Sequence, residues 1–494
     1  MLQTILVLII CFWLVWKHPF YQAVFARRGL ALLVVAAKIA CGYGLYFLYN
    51  HYYSDRSTGD VNKYFDDAKA IYQQCHSNPK HFLQIVFNIG CDSPEIRTYF
   101  TSIAHWDLSA NSNLINDTRT IIRFNLLLLP ISQGAFMVHN IVANVLSFTG
   151  LAMLYKAFCS VHTQQKLAAF LSVFCIPSVF FWSSGVLKES LLFFFLGWTI
   201  HSMVQLQVLR SKYVLYLLIG LWGLLLSKFY LALILLPAVI GYLITLRLGW
   251  SRKRLFIGVS LISVIFAGLV AIFFQTGIQR FAEKQKQFVN VARGGYYFEL
   301  ENLGRLDTIY VPETASANID RVGDTFHIDK DCKATRYVNL NMADDLHFER
   351  EQTGRLLQHL TPANSYIYLP VLDQSLQSMF KVLPFACINV MCLPTIFQLK
   401  NAMYLAPACE NLAFMLLLLA SLWRGKGRWF THTPFAWFSL FFIVALMLVI
   451  GYTTPILGAI VRYKIPMLPF LFYLLLSNVK FEYILQKLQN LAKG

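Results

Sequence analysis

The stretch Gly59-Asp60-Val61-Asn62-Lys63-Tyr64-Phe65-Asp66-Asp67-Ala68 places three carboxylates within eight residues, shortly after a long apolar run. A carboxylate so placed can accept a proton from a hydroxyl, cap a helix, or stand solvated in a loop. Asp60 comes first after the apolar run, directly behind Gly59, so its side chain is the one expected at a membrane face. Asp66 and Asp67 follow a turn or two later and suit capping or a supporting role, with Tyr64 beside them. A second group of residues carries positive charge. Lys188-Glu189 interrupts an apolar region that runs from Leu167 to Trp198, and Lys228 separates two short apolar runs. Arg462 and Lys464 lie in Gly458-Ala459-Ile460-Val461-Arg462-Tyr463-Lys464-Ile465-Pro466. Such cations either snorkel to lipid headgroups or hold a phosphate at the membrane face. On the second reading Lys188, Lys228, Arg462 and Lys464 bind phosphate, and Glu189 supports them. Lys38 sits inside an apolar run, where ionisable groups are costly and tend to be functional, and no partner for it can be named from the sequence.

The elements that must position these residues are membrane helices. Of 494 residues, 57% are hydrophobic and only 14% charged, against about 25% charged in soluble domains. The mean hydropathy of +0.53 and repeated apolar runs near the length of a span place the chain in the membrane class. A net charge of +17 is compatible with nucleic-acid binding, but the Lys and Arg fall mostly in short clusters between apolar runs. That is the pattern of the positive-inside rule, and nucleic acid is rejected as a partner. Met1-Leu2-Gln3-Thr4 has no basic start, so the first run reads as a short helix rather than a signal peptide.

The runs predict about eleven spans, near residues 1–16, 30–48, 136–155, 167–182, 190–209, 213–227, 229–246, 255–274, 407–423, 434–452 and 465–479. The division is an extra N-terminal helix and linker (1–29), a membrane core (30–274) with a large polar loop at 51–135, a second polar region (275–365) and a C-terminal membrane region (366–494). Basic linkers such as Arg252-Lys253-Arg254 belong inside, which puts both large loops outside. In the first loop, Asp66–Gln74 and Thr118–Leu129 read as helices, the latter lying along the interface. The second polar region reads as mixed structure, with β-branched patches such as Thr308-Ile309-Tyr310-Val311. Residues 366–405, broken by Pro370, Pro384 and Pro394, read as a re-entrant segment or two short spans.

Other possible sites are weak. Ten Cys are present, without CxxC or zinc spacing, and most lie in apolar runs as small buried hydrophobes. Cys75 and Cys91 share the first loop and could pair or stay as free thiols. The His residues are scattered, Gly294-Gly295 lacks a nucleotide-binding context, and Asn116-Asp117-Thr118 reads only as a surface-loop sequon.

The order of span, long loop, six spans and second long loop over residues 30–365 resembles the GT-C glycosyltransferases, membrane enzymes that take sugars from polyprenyl-phosphate-linked donors. Gly59-Asp60 with Tyr64 and Ala68 is similar to that family's acidic, Tyr-containing first-loop motif. Arg462-Tyr463-Lys464-Ile465-Pro466-Met467-Leu468-Pro469-Phe470 resembles the Arg-Tyr and Pro-Phe start of a late span. The resemblance implies an all-α polytopic, GT-C-like fold and an inverting transferase for cell-envelope polysaccharide biosynthesis. Its donor would be a polyprenyl-phosphate sugar, its acceptor an extracytoplasmic glycan, lipid or protein, and its host a bacterial inner membrane. The first polar loop has no clean DxD or Asp-Glu pair, so a divalent cation stays an open alternative.

One principal carboxylate suffices for such a reaction. A phosphate leaving group departs without a proton, whereas a glycoside hydrolase needs two positioned carboxylates. Asp60 is then the base for the acceptor hydroxyl, and the cations hold the leaving phosphate. A polysaccharide polymerase or ligase would use similar parts. A transporter or flippase is the rival from another class, favoured by Lys38 but expected to show an internal repeat. A non-catalytic scaffold would tolerate substitution in the acidic loop.

Overall fold

The computed structural model describes residues 2–52, 56, 59–103, 105–106, 115–208, 211–248, 277–300, 307–314, 319–322, 325–328, 332–338, 342–348, 353–373, 375–398, 402–424 and 434–479. The expected span at 255–274 and the basic residues Arg252, Lys253, Arg254, Lys426, Arg428, Lys480, Lys487 and Lys493 lie outside them. The chain divides into two compact units. The first holds Met1–Ser260, Phe414–Ile443 and Ile465–Gly494, the second Leu261–Ala413 and Val444–Lys464.

The chain is membrane-embedded by the length and apolarity of its helices. Five described helices suffice alone to cross a bilayer: Arg28–His51, Phe136–Val161, Phe229–Arg247, Leu405–Trp423 and Pro434–Thr453. A sixth span results if the broken pair Leu457–Tyr463 and Leu468–Asn478 counts as one. Leu2–Lys17, Ser211–Ser227 and Gln377–Cys392 are apolar but shorter. The last of these is a single helix within residues 366–405.

In the first unit, α1 (Leu2–Lys17), α2 (Pro19–Val24) and α3 (Arg28–Tyr52) lead into the first polar region. That region is helical: α4 (Asp60–Cys75), α5 (Pro79–Phe87), α6 (Pro94–Arg97) and α7 (Asp117–Ser132). Both helices expected there are present, each longer than read. Its core gathers Phe65, Ile71, Phe100, Trp106, Ile121 and Leu126 with Leu191 from a later helix, all buried. Each fully buried large apolar side chain contributes about 1.5–3 kcal/mol. Trp106 stacks on Phe100, at 4.2 Å between centroids, and also meets the buried Arg119 guanidinium over its ring at 5.1 Å. Cys75 and Cys91 are free thiols in this core, so they do not pair, and burial raises both to about 11. Thiols held that high are inert at neutral pH.

The long α8 (Phe136–Val161) follows. Its His139 ties it back to α7, with Nε2 2.8 Å from Ser132 Oγ and Nδ1 2.9 Å from Asn125 Oδ1, all three buried. The expected span at 167–182 is broken into α9 (Lys166–Phe174) and α10 (Pro177–Trp182). Pro177 opens the second piece because its ring suits a first helical position and excludes the preceding residue from helical backbone. A turn then leads to α11 (Lys188–Gln205), α12 (Ser211–Ser227) and α13 (Phe229–Leu248). Gly150 of α8 and Gly197 of α11 meet backbone to backbone, where a Cβ on either would strike the other helix. Small residues at such a crossing let membrane helices approach closely.

Lys38 finds its partners in the turn between α10 and α11. Its ammonium, fully buried, donates to Ser183 O at 3.0 Å, Ser183 Oγ at 2.8 Å, Ser184 Oγ at 3.2 Å and Phe180 O at 3.4 Å. A cation at the carbonyl end of α10 is favourable, and several acceptors replace its lost water. Gly185 holds φ +82° in the same turn, with Leu45 and Asn140 pressed against its vacant Cβ position. We predict that Lys38→Met, which keeps the stem and removes the donors, lowers stability by about 1–3 kcal/mol. Thermal unfolding in detergent measures this, and an unchanged melting temperature would contradict a pinning role.

In the second unit, seven described strands between residues 295 and 360 pair in one antiparallel sheet. Its strands are β1 (Gly295–Leu300), β2 (Asp307–Pro312), β3 (Ile319–Val322), β4 (Thr325–Ile328), β5 (Cys332–Val338), β6 (Met342–Phe348) and β7 (Thr353–Leu360). They lie in the order β3-β4-β7-β1-β2-β5-β6. The β-branched patch at 308–311 lies in β2, which pairs with β1 and β5, and its Ile309, Tyr310 and Val311 are buried. Tyr310 OH donates to Gly294 O at 2.7 Å and anchors the sheet to helix Gly277–Arg293. The all-α expectation therefore describes the membrane-type helices, and the second polar region adds the sheet to them.

Candidate functional site

Helix α4 starts at Asp60, six residues earlier than the sequence reading placed a helix start. Asp60 is thus the carboxylate in the first turn, where the helix dipole favours it. Asn62 Nδ2 donates to Asn50 Oδ1 at 2.8 Å and fixes this end of α4 to the end of α3. Residues 60, 64 and 67 share one helix face. Lys63 Nζ lies 2.6 Å from Asp60 Oδ1, and Tyr64 OH donates to the same oxygen at 3.4 Å.

The capping role read for Asp66 and Asp67 is corrected by that helix start, since both fall in the middle of α4. Asp66 instead forms an exposed pair with Arg56, at 2.7 and 3.0 Å. Asp67 accepts from the His105 backbone N–H at 3.1 Å, and its Oδ2 is 3.0 Å from His105 Nδ1. Both stabilise the first polar region.

Asp117 is the residue the sequence reading missed. Asn116, read only as part of a sequon, is the N-cap of α7, its side chain accepting from Thr118 N and Arg119 N. Asp117 therefore stands in the first turn. Its Oδ1 is 3.0 Å from Lys188 Nζ and its Oδ2 3.3 Å from Lys228 Nζ. Lys188 also donates to Thr118 Oγ1 at 2.7 Å. Burial pushes the Asp117 carboxyl upward, but the Lys228 and Lys188 ammonium groups outweigh it, so its net direction is down. An Asn N-cap followed by Asp is a helix-start signal that could have found it.

The two halves meet at Tyr64. The ammonium groups of Lys63 and Lys188 each lie 5.0 Å from its ring centroid. Asp60, Lys63, Tyr64, Asp117, Thr118, Lys188 and Lys228 thus gather where α4, α7 and α11 begin and where α12 passes to α13. The Lys188 and Lys228 side chains are each 11% exposed, so their charges act in a poorly solvated setting. Two of the three N–H donors of Lys188 are accounted for by Asp117 and Thr118. Glu189, the next residue, is buried in the first turn of α11.

Arg462 and Lys464 belong to the second unit. Lys464 is buried, and its ammonium donates to Asn411 Oδ1 at 2.8 Å and to Val390 O and Leu393 O at 3.2 Å each. Those three acceptors use its three donors, which makes Lys464 a clasp on helix ends rather than a phosphate ligand. Arg462 is half-buried in the short helix Leu457–Tyr463. Among the described residues, no group of three His, Cys, Asp or Glu is arranged to hold a metal ion.

The pairing of Asp117 gives a signed pH dependence. A carboxylate with a lowered folded pKa contributes stability that is complete above its unfolded value, near 3.8, and is lost as pH falls through the folded value. Asp117→Asn is expected to cost about 1–2 kcal/mol at neutral pH, a buried-pair loss reduced because Asp117 is 35% exposed. The gap to wild type should hold from pH 7 to pH 5 and close below pH 3.8. Thermal unfolding across that range checks it, and a gap independent of pH would refute the pairing.

No family model, curated protein or solved structure matches this chain.

Proposed function

We propose that the chain is a membrane glycosyltransferase. It moves a sugar from a polyprenyl-phosphate donor to a glycan, lipid or protein acceptor at the outer face of a bacterial inner membrane. The eleven-span GT-C-like arrangement belongs to this proposal, as do both large polar regions facing outward. The observation that carries it is the gathering of Asp60, Lys188 and Lys228 about Tyr64 and Asp117 at one end of the first unit.

On this reading the acceptor hydroxyl attacks the anomeric carbon and gives its proton to Asp60. The bond from that carbon to the phosphate oxygen breaks, and the phosphate leaves as an anion held by Lys188 and Lys228. Asp117 is a poor base with two ammonium groups on it, and it serves to aim them. The donor's charge is met by side chains fixed beforehand, which is the most effective form of electrostatic stabilisation. Polymerase or ligase activity would use the same site on a longer glycan.

The test is sugar transfer from polyprenyl-phosphate donors by the purified chain in liposomes, with mass spectrometry of lipid-linked and surface glycans from cells with and without it. Unchanged glycans, together with no transfer from any such donor, would overturn the reading.

A further inference from the structure

A cleft of about 770 Å³ opens in the first unit among α1, α2, α8, α11 and α12. Lys188 begins α11, whereas His201 and Ser202, which line the cleft, lie 13 and 14 residues further along it. Lys212 lines it from the start of α12, and Lys228 follows that helix's end. At 1.5 Å per residue, about 20 Å separate the cleft from the Asp60–Asp117 cluster. The two sites occupy opposite ends of the same helices.

The cleft carries cationic and neutral polar groups among apolar and aromatic ones. Lys156 and Lys212 line it, no Asp or Glu does, and neither lysine has a carboxylate partner among the described residues. Each ammonium rests near an aromatic ring, Lys156 at 5.3 Å from Phe20 and Lys212 at 5.4 Å from Tyr213. Ser202 is 1% exposed, and neither its hydroxyl nor His201 Nδ1 has a hydrogen-bond partner. Buried polar atoms without partners are costly and call for a ligand or water. Beyond its lining, Trp13 of α1 and Leu215, Leu218 and Trp222 of α12 are exposed apolar side chains on short apolar helices. Two cations and neutral polar groups on helices that also expose apolar side chains match a phosphate headgroup with acyl chains attached, and the volume suits a ligand of that size.

We infer that this cleft binds the phosphate headgroup of an anionic membrane lipid, in the leaflet opposite the Asp60–Asp117 cluster. The inference does not depend on the transferase reading. Native mass spectrometry of the full chain in detergent, titrated with phosphatidylglycerol, phosphatidylcholine or glycerol 3-phosphate, tests it. One phosphatidylglycerol should be retained per chain in preference to phosphatidylcholine. Lys156→Gln with Lys212→Gln should weaken retention about tenfold or more. Ser202→Ala, a milder change that leaves the fold intact, should weaken it several-fold, and Lys166→Gln, an exposed control, should leave it unchanged. Equal retention of the two lipids, or of phosphatidylglycerol by wild type and both cleft variants, would overturn the inference. Displacement of the lipid by glycerol 3-phosphate at equal concentration would overturn the lipid assignment.

Discussion

Asp60→Asn is expected to lower the rate of sugar transfer by about 10² to 10⁴, the usual worth of a general base. Asn keeps the size of the side chain and is tolerated in a first helical turn, but it cannot take the acceptor's proton. The fold should be little affected. The ion pair lost is that with Lys63, both side chains partly exposed, and such a pair is worth up to about 1 kcal/mol. Donor affinity should change far less than turnover, because Lys188 and Lys228 are both paired with Asp117. Asp66→Asn is the control, since it breaks only the exposed pair with Arg56 and should leave turnover near wild type. Transfer rates at saturating donor, measured in liposomes, distinguish the cases. Normal turnover in Asp60→Asn would remove the carboxylate mechanism. Loss in Asp66→Asn alone would move the base to the other face of α4.

Gly197→Val is expected to destabilise the first unit by about 3 kcal/mol, high in the usual range for overpacking. A Cβ at Gly197 runs into the backbone carbonyl of Gly150, and backbone cannot rotate aside as a side chain can. The helices α8 and α11 must separate or turn. Lys188 begins α11, so its hold on Asp117 should loosen as well and donor affinity should fall together with stability. Thermal unfolding and donor titration on the same preparation measure both. A variant with a wild-type melting temperature would mean that the two glycines are not in contact.

The parts of this architecture legible in sequence are those set by local rules. The apolar runs at 30–48, 136–155, 229–246, 407–423 and 434–452 became long helices because their length and composition leave little alternative in a bilayer. Helix α7 was legible for a different local reason, its polar start and amphipathic body. What was not legible depends on tertiary partners. Asp117 looked like loop because the lysines that give it a role lie 71 and 111 residues away in the chain. Lys464 looked like an outward cation because its acceptors, the Val390 and Leu393 carbonyls, come from a distant helix end. Lys38 had no visible partner because most of its acceptors are backbone or Ser oxygens, which carry no signal in a sequence. The register of the seven strands is likewise a property of pairing across the sheet rather than of any one strand.

The broken passage from α9 to α12 bears on how the chain reaches its bilayer during synthesis. Helix α9 has 9 residues and α10 has 6, α11 opens with Lys188-Glu189, and α12 has 17 residues. None of the four meets the length and apolarity that let a segment leave the translocon for lipid unaided. The helices on either side, α8 and α13, do meet them. Partitioning of this middle passage is therefore a collective event. The Lys38 ammonium meets its Ser183 acceptors, and the two glycines meet each other, only once α3, α8 and the segment from α10 to α11 are together, so the polar atoms enter the membrane already matched. Nascent chains ending before α11 would leave the passage waiting beside the translocon, with these partners still unmade.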